Sequence, residues 1–232
     1  APTNYWDGET QMDITADWTT FDKMHSIRTD SSGNTWDIDD CTFSNWRPNY
    51  WPVWIKDNNT VTSFTNNTFS SPPGSNAFGP KFTQAHAAFD NIVISGSYTS
   101  DEITADDAKL EFDNSNFDIT NVDLSTSGAV ISRNHNDTAD LWEIAVGTTQ
   151  EHSALTAEPD VNSTVRLRTG TYTINEDNDQ WDNFNVYTGA TVRVSDGKDL
   201  YIKTAFDNDG TWDQTAGYGG DIHVGDFTPF DS

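Results

Sequence analysis

Acidic side chains recur around tight turns in this chain, and one such turn has the spacing that a cation site needs. Asp207, Asp209 and Asp213 occupy the first, third and seventh positions of a segment that turns at Gly210. Carboxylate oxygens at these offsets can converge on a hard cation, so the segment predicts a turn-type Ca²⁺ site. It lacks the bidentate glutamate that closes an EF-hand loop. The alternative is a β-turn in which Asp and Asn side chains cap backbone groups.

Two looser relatives of this turn extend the calcium prediction. One contains Asp30 and Asp37, and the other contains Asp177, Asp179 and Asp182. Ca²⁺ is the only cofactor that the residue pattern favours. The five histidines are scattered with no pair at metal-ligand spacing, and the single cysteine, Cys41, is expected to pack as a small hydrophobic residue.

A second group of candidate functional residues is aromatic. Trp46, Tyr50, Trp51 and Trp54 lie close together in one Pro-containing excursion of the chain. Flat aromatic rings stack on sugars or anchor a protein partner, so this segment predicts a carbohydrate- or partner-binding surface. The alternative is that the rings fold back to cover the end of a stack of strands.

Composition narrows the classes of function. The chain has 37 acidic residues against 12 Lys and Arg, for a net charge of −25, and 30 of the acids are Asp. The negative electrostatic field of this net charge repels nucleic acid and anionic membranes, so both are excluded as partners. No apolar run approaches the roughly 20 residues of a membrane span. No nucleophile elbow, phosphate loop or zincin motif is present. We therefore nominate no catalytic residue; enzyme activity stays open, and a non-enzymatic role is favoured.

The elements that must carry these residues follow from a recurring phrase, an apolar β-rich run followed by an Asn/Asp/Gly turn. The recurrences begin at Trp36, Val61, Phe89, Phe117, Val165 and Val192. A period of about 20 to 50 residues is typical of stacked units that cannot bury a core alone. The longest interval, from Phe117 to Val165, indicates two coils, or one coil with an insertion. We predict an all-β protein, a right-handed parallel β-helix, with an antiparallel β-sandwich as the alternative.

The same pattern gives a division of the chain. Residues 1–34 are predicted to be a non-repeat N-terminal cap or strand-donating segment, with apolar anchors at Trp6, Trp18, Phe21 and Met24. Residues 35–216 form the solenoid, with an insertion near 132–160, and residues 217–232 form a C-terminal tail. The opening Ala-Pro-Thr-Asn fits an N-terminus left by signal-peptide cleavage, so we expect a secreted, extracellular or cell-surface protein.

Two stretches resemble known parallel β-helix proteins. Residues 36–45 followed by 61–69 resemble successive coils of pectate-lyase-like helices, and residues 184–202 closing with 206–212 resemble repeats of large surface solenoids of marine bacteria. The first resemblance implies a lyase with an Arg or Lys base and Ca²⁺ on the substrate acid. The chain departs from that pattern, because Asp40 stands where the family has His and no Arg-rich stretch follows the second coil.

These observations give three hypotheses for function. The first is an extracellular structural protein, the subunit of a surface filament or adhesin, which works by self-association with other copies and is stabilised by calcium. The second is a carbohydrate-binding or polysaccharide-degrading β-helix domain that recognises cell-surface glycans. The third is a component of a viral fibre or spike.

Overall fold

The structure is a computed structural model that describes residues 5–6, 13–28, 32–56, 59–70, 72, 74, 77–98, 101–177 and 179–225. The chain divides into two compact units, Ala1–Asp137 and Thr138–Ser232. Strand pairing within each of the two units is parallel, which confirms the parallel β-helix and excludes the antiparallel sandwich. In the described ranges, no helix is long and apolar enough to cross a bilayer.

The first unit is built from short strands that visit three sheets in turn. Its described strands are β1 Tyr5–Trp6, β2 Ile14–Asp17, β3 Thr20–Asp22, β4 Ser26–Arg28, β5 Thr35–Asp39, β6 Thr42–Ser44, β7 Val53–Ile55, β8 Thr60–Thr65, β9 Thr68–Ser70, β10 Lys81–Thr83, β11 His86–Asp90, β12 Val93–Ile94, β13 Ile103–Asp106, β14 Lys109–Asp113, β15 Val122–Leu124 and β16 Ala129–Arg133. One sheet has the order β1-β4-β7-β10-β13-β15, the second contains β2-β5-β8-β11-β14-β16, and the third has the order β12-β9-β6-β3. Successive coils therefore add strands to the same sheets, and a short turn, His135–Asp137, follows the last strand.

The second unit uses longer strands that bend around the corners of the coil. They are β17 Leu141–Glu151, β18 Thr164–Ile174, β19 Asp179–Val186, β20 Ala190–Val194, β21 Asp199–Asn208, β22 Thr211–Asp213 and β23 Asp221–Val224, with a 3-10 turn at His152–Ala154. The bends coincide with register shifts, such as the one between Trp181 and Asn183. At the bend of β18 only glycine fits, because Gly170 has φ 75° and an added Cβ would lie 2.2 Å from the Val146 carbonyl oxygen.

The core consists of in-register columns of inward-facing side chains. Phe43 stacks on Phe21 and Phe69 at ring-centroid distances of 5.0 and 4.7 Å, and Phe89 stacks on Phe112 at 4.7 Å. Because side chains alternate across a strand, the residues between these columns face outward. The apolar columns supply the burial that a single coil cannot provide.

The corners between the second and third sheets explain the Asn/Asp turns. Asp40, Asn66, Asn91, Asn114 and Asn134 all adopt the left-handed conformation, with φ between 48° and 55°. Asn and Asp tolerate this conformation better than other non-glycine residues. The recurring turn phrase of the sequence is therefore a column of stacked corners.

The length of a coil differs between the two units. Val165 pairs in register with Phe184, whereas Ile38 pairs with Phe64, which lies further along the chain from its partner. The apolar phrases of the sequence therefore recur without a fixed period.

The phrase starts follow the pairing only in part. Phe89 pairs with Phe112, and not with Phe117, at which the next phrase begins in the sequence. The long interval between Phe117 and Val165 contains β16 and β17, so it holds two coils.

The described part of the predicted cap also follows the coil pattern, since β2, β3 and β4 pair with β5, β6 and β7. Phe21 packs as expected, but Trp18 is not an anchor: it lies at a left-handed corner and is 79% exposed.

Candidate functional site

The turn at Asp207 to Asp213 is held by hydrogen bonds within the protein. Asp213 Oδ2 accepts a hydrogen bond from Arg193 Nε at 2.8 Å, and Asp213 Oδ1 accepts one from the Thr215 amide at 3.0 Å. Asn208 Oδ1 caps the Gly210 amide at 3.1 Å, while Asp207 and Asp209 are exposed. Among the described residues, these three carboxylates are not a set whose ligand atoms converge. The geometry matches the backbone-capping alternative, and calcium at this turn stays a prediction.

The acidic residues of the other two predicted calcium turns lie in different environments. Asp37 lies in β5, whereas Asp30 lies outside the described residues. Asp177 is exposed, and Asp182 accepts a hydrogen bond from Thr204 of the next coil at 2.6 Å. Asp179 is different, since its Oδ1 lies 3.4 Å from Nε2 of His152.

The aromatic excursion separates into packed and accessible rings. Trp46 is only 1% exposed, so it has no face to offer a sugar, and it packs near Tyr98. Tyr50 lies over His25 with ring centroids 3.8 Å apart. Trp51 and Trp54 are half-buried, as Tyr50 is, and their ring centroids lie 5.1 Å apart, so a ligand can reach both indoles at their edges.

Three cations surround the ring of Trp54, and the sequence analysis did not predict this grouping. Lys56 Nζ, Lys81 Nζ and the Arg28 guanidinium lie 4.3, 5.4 and 5.6 Å from its ring centroid. The strand register explains two of them, because Trp54 pairs with Arg28 on one side and Lys81 on the other. We call Arg28, Trp51, Trp54, Lys56 and Lys81 the basic aromatic patch. It groups three cations in a chain of net charge −25, and one of them, Lys81, lies 3.4 Å from Asp106 Oδ2.

A cluster of one histidine and three carboxylates lies in the second unit. His152 begins the 3-10 turn after β17 and is 0% exposed, and its Nδ1 lies 2.7 Å from Tyr172 Oη. Ligand atoms of His152, Glu158 and Glu176 all lie within 4.8 Å of one another. Together with Asp179, these residues are called the His152 cluster below.

Comparison with known proteins gives no assignment for any of these sites. No family model, curated protein or solved structure matches the chain. Function therefore has to be argued from the geometry alone.

The surroundings of Glu158 in the His152 cluster disfavour its ionised form. Burial raises the pKa of Glu158; the charge of His152 opposes this rise, and the neighbouring Glu176 carboxyl adds to it. Asp179 belongs to a core column, because it pairs in register with Leu200, which is 0% exposed. Its Oδ2 is buried and has no hydrogen-bond partner. Sequence spacing hides this cluster, because Glu158 lies on a loop and His152 lies one strand earlier than Glu176 and Asp179, which flank the turn between β18 and β19.

The edges of the coils form the last candidate surface. Among the described residues, β2 and β3 each pair with a strand on one side only, and so do β22 and β23. A strand edge of this kind presents unpaired N–H and C=O groups. The first and last described coils are therefore places where another strand can add.

Proposed function

We propose that this protein is an extracellular structural subunit of a surface filament or adhesin, and that it works by self-association between coil edges. The observation that carries the proposal is the exposure of core columns at both edges. In the first described coil, Ile14 and Phe21 are half-buried. Their register partners in the next coil, Trp36 and Phe43, are both 0% exposed.

The last described coil repeats this feature. Trp181, Ile202 and Val224 form one inward column, with exposures of 0%, 0% and 54%. Val224 is exposed because the described chain places no further coil over it. Trp18 and Val224 are the exposed large hydrophobic residues of the described chain, and they lie on its first and last coils.

A coil added by a second copy would pair the open strand edges and cover the exposed core columns at the same time. The β22 and β23 edges of one copy present parallel strands, and the β2 and β3 edges of another present the same pattern. Backbone hydrogen bonds would continue each sheet while the half-exposed columns become buried. Such a head-to-tail contact does not close on itself, so it generates a filament. Calcium at the Asp-rich turns remains part of this proposal.

The test is the assembly state of the purified full chain. We expect electron microscopy to show filaments and sedimentation velocity to show association that increases with concentration, and a calcium chelator should weaken both because Ca²⁺ at the Asp-rich turns is part of the proposal. Val224→Asp places a charge on the exposed core column and should abolish association. The matched control is Thr188→Asp, which adds the same charge at an exposed turn. A wild-type chain that stays monomeric at all concentrations, or equal behaviour of the two variants, would refute the proposal.

A second candidate function is supported by the basic aromatic patch. Three cations and two indole rings would suit a polysaccharide with carboxylate or sulfate groups, because the cations recognise the acid and the ring edges contact the sugar. We expect isothermal titration calorimetry to detect an acidic glycan and not its neutral counterpart. Lys81→Gln should weaken this binding, and Lys203→Gln, an exposed lysine of the second unit, should not. Equal binding of acidic and neutral glycans would contradict the assignment.

A further inference from the structure

The His152 cluster contains a buried imidazole nitrogen with no conventional partner. The His152 side chain is 0% exposed, and its Nε2 makes no hydrogen bond within the described chain. Burying such a nitrogen without a partner is unfavourable, because it loses its hydrogen bond to water. The nitrogen faces the carboxylates of Asp179, Glu158 and Glu176, so its environment is acidic.

A protonated His152 paired with Asp179 is the simplest alternative, and the geometry does not favour it. The Nε2 to Oδ1 distance is 3.4 Å, and this contact lacks hydrogen-bond geometry. Two ligands about 2.0–2.1 Å from a tetrahedral ion lie about 3.3 Å apart. The separation of Nε2 and Oδ1 is therefore the separation expected for two atoms that share a metal ion.

The remaining contacts are those of a metal-binding histidine. A ligating imidazole usually engages its second nitrogen in a hydrogen bond that fixes the ring, and Nδ1 of His152 has Tyr172 Oη at 2.7 Å. The ring is also held against Trp181, with centroids 5.7 Å apart. Glu158 is exposed on the loop after the 3-10 turn, so its side chain can move to complete the coordination.

We propose that His152, Asp179, Glu176 and Glu158 bind a divalent transition-metal ion, with Zn²⁺ as the best-fitting member of this class. Ligand atoms of His152, Glu158 and Glu176 converge within 4.8 Å, and Asp179 Oδ1, which lies 3.4 Å from His152 Nε2, would supply the fourth ligand of a tetrahedral ion. Ca²⁺ needs six to eight oxygen ligands and gains little from the imidazole. The ion would neutralise the crowded carboxylates and tie the loop that carries Glu158 to β19. This site is separate from the coil edges, so it stands independently of the proposed self-association.

The test is Zn²⁺ binding to the chelator-stripped full chain, measured by calorimetry in excess Ca²⁺, which occupies non-specific acidic sites. We expect one Zn²⁺ per chain, and Zn²⁺ should raise the thermal unfolding temperature. Glu176→Gln and Asp179→Asn should each weaken binding about tenfold or more. The matched control is Asp177→Asn, an exposed carboxylate between them, which should bind like the wild type.

A spectroscopic measurement separates loss of a ligand from loss of fold. Co²⁺ bound at the site should give the intense visible absorption of tetrahedral coordination, and Glu176→Gln should alter that spectrum while circular dichroism stays unchanged. Three results would overturn the proposal: no Zn²⁺ uptake in excess Ca²⁺, several weak ions per chain, or an equal effect of Asp177→Asn and Glu176→Gln.

Discussion

The neighbouring residues Asn66 and Asn67 allow a sharp test of how the coils are held together. Asn66 occupies the left-handed corner, and its Oδ1 accepts a hydrogen bond from Asn91 at 2.8 Å at an exposed position. Asn67 is 0% exposed and points inward. Its Oδ1 accepts the Cys41 amide at 3.0 Å, and its Nδ2 donates to the Ile38 carbonyl at 2.6 Å. Asn66 thus occupies the exposed corner, whereas Asn67 hydrogen-bonds its coil to the previous one.

We expect Asn67→Ala to destabilise the first unit by about 2–4 kcal/mol. The buried Cys41 amide loses its acceptor, which costs about 1–3 kcal/mol, and loss of the bond to Ile38 adds about 1 kcal/mol. Asn66→Gly should change stability by less than about 0.5 kcal/mol. Glycine relieves the left-handed strain, and this gain offsets the lost side-chain bond and the entropy of glycine.

The assay is denaturant unfolding followed by tryptophan fluorescence, together with hydrogen exchange at the Cys41 amide. Asn67→Ala should lower the unfolding midpoint and speed exchange of that amide, whereas Asn66→Gly should leave both near the wild-type values. If Asn67→Ala costs less than about 0.5 kcal/mol, the inward amide is not a coil-to-coil bond, and the reasoning fails. The same conclusion follows if Asn66→Gly is the more damaging change.

Two further predictions concern ion pairs between coils. Glu143 is 2% exposed and receives Arg168 Nε at 2.5 Å and Arg166 Nη1 at 3.2 Å, so Glu143→Gln should cost about 2 kcal/mol in denaturant unfolding. Glu151→Gln, an exposed change on the same strand, is the control, and equal losses would contradict the role of burial. The hydrogen bond from Arg193 holds the pKa of Asp213 below its ordinary 3.8. This pair therefore stabilises the fold at neutral pH, and its contribution is lost as pH falls through the folded-state pKa. The stability difference between wild type and Asp213→Asn should shrink on acidification, and a difference independent of pH would refute the assignment.

The fold was predictable from the sequence because its corners favour particular residue types. Asn and Asp at left-handed positions leave a visible signal, and Asn66, Asn91 and Asn114 repeat it after apolar runs. Trp36 and Val61, chosen as starts of successive phrases, pair directly in the structure. The Asn and Asp residues of the corners are therefore recognisable in the sequence even where the coil length varies.

The sites were not predictable in the same way, because they depend on register. The number of residues in a coil differs from one part of the stack to another, so spacing alone cannot bring His152 beside Asp179. Asp179 is a candidate calcium ligand in the sequence and stays a prediction, and its closeness to a histidine depends on the coils between them. Trp46 and Trp54 are both tryptophans of one segment, so the sequence pattern does not distinguish them. Burial separates them, and burial is a property of packing that the pattern does not contain.

The net charge of −25 gives the coil stack a particular problem, since parallel in-register strands place like residues directly above one another. Asp17 pairs with Asp39, and Asp90 pairs with Asp113. Burial alone would raise the pKa of Asp39, yet hydrogen bonds from Ser63 and Thr65 lower it overall. Donors from the following coil therefore make stacked carboxylates tolerable within one chain.

Stacking between copies is a different case, because the acidic surfaces of two chains repel each other through solvent. Solvent-exposed charges are screened beyond about 10 Å at 0.1 M salt and beyond about 3 Å at 1 M. If coil edges join the copies, added salt should strengthen their association, since screening removes repulsion while the hydrophobic contact at Val224 persists. Association that weakened steadily with salt would instead indicate pairing between opposite charges. The basic aromatic patch of one copy would then become the expected contact for the acidic surface of the next.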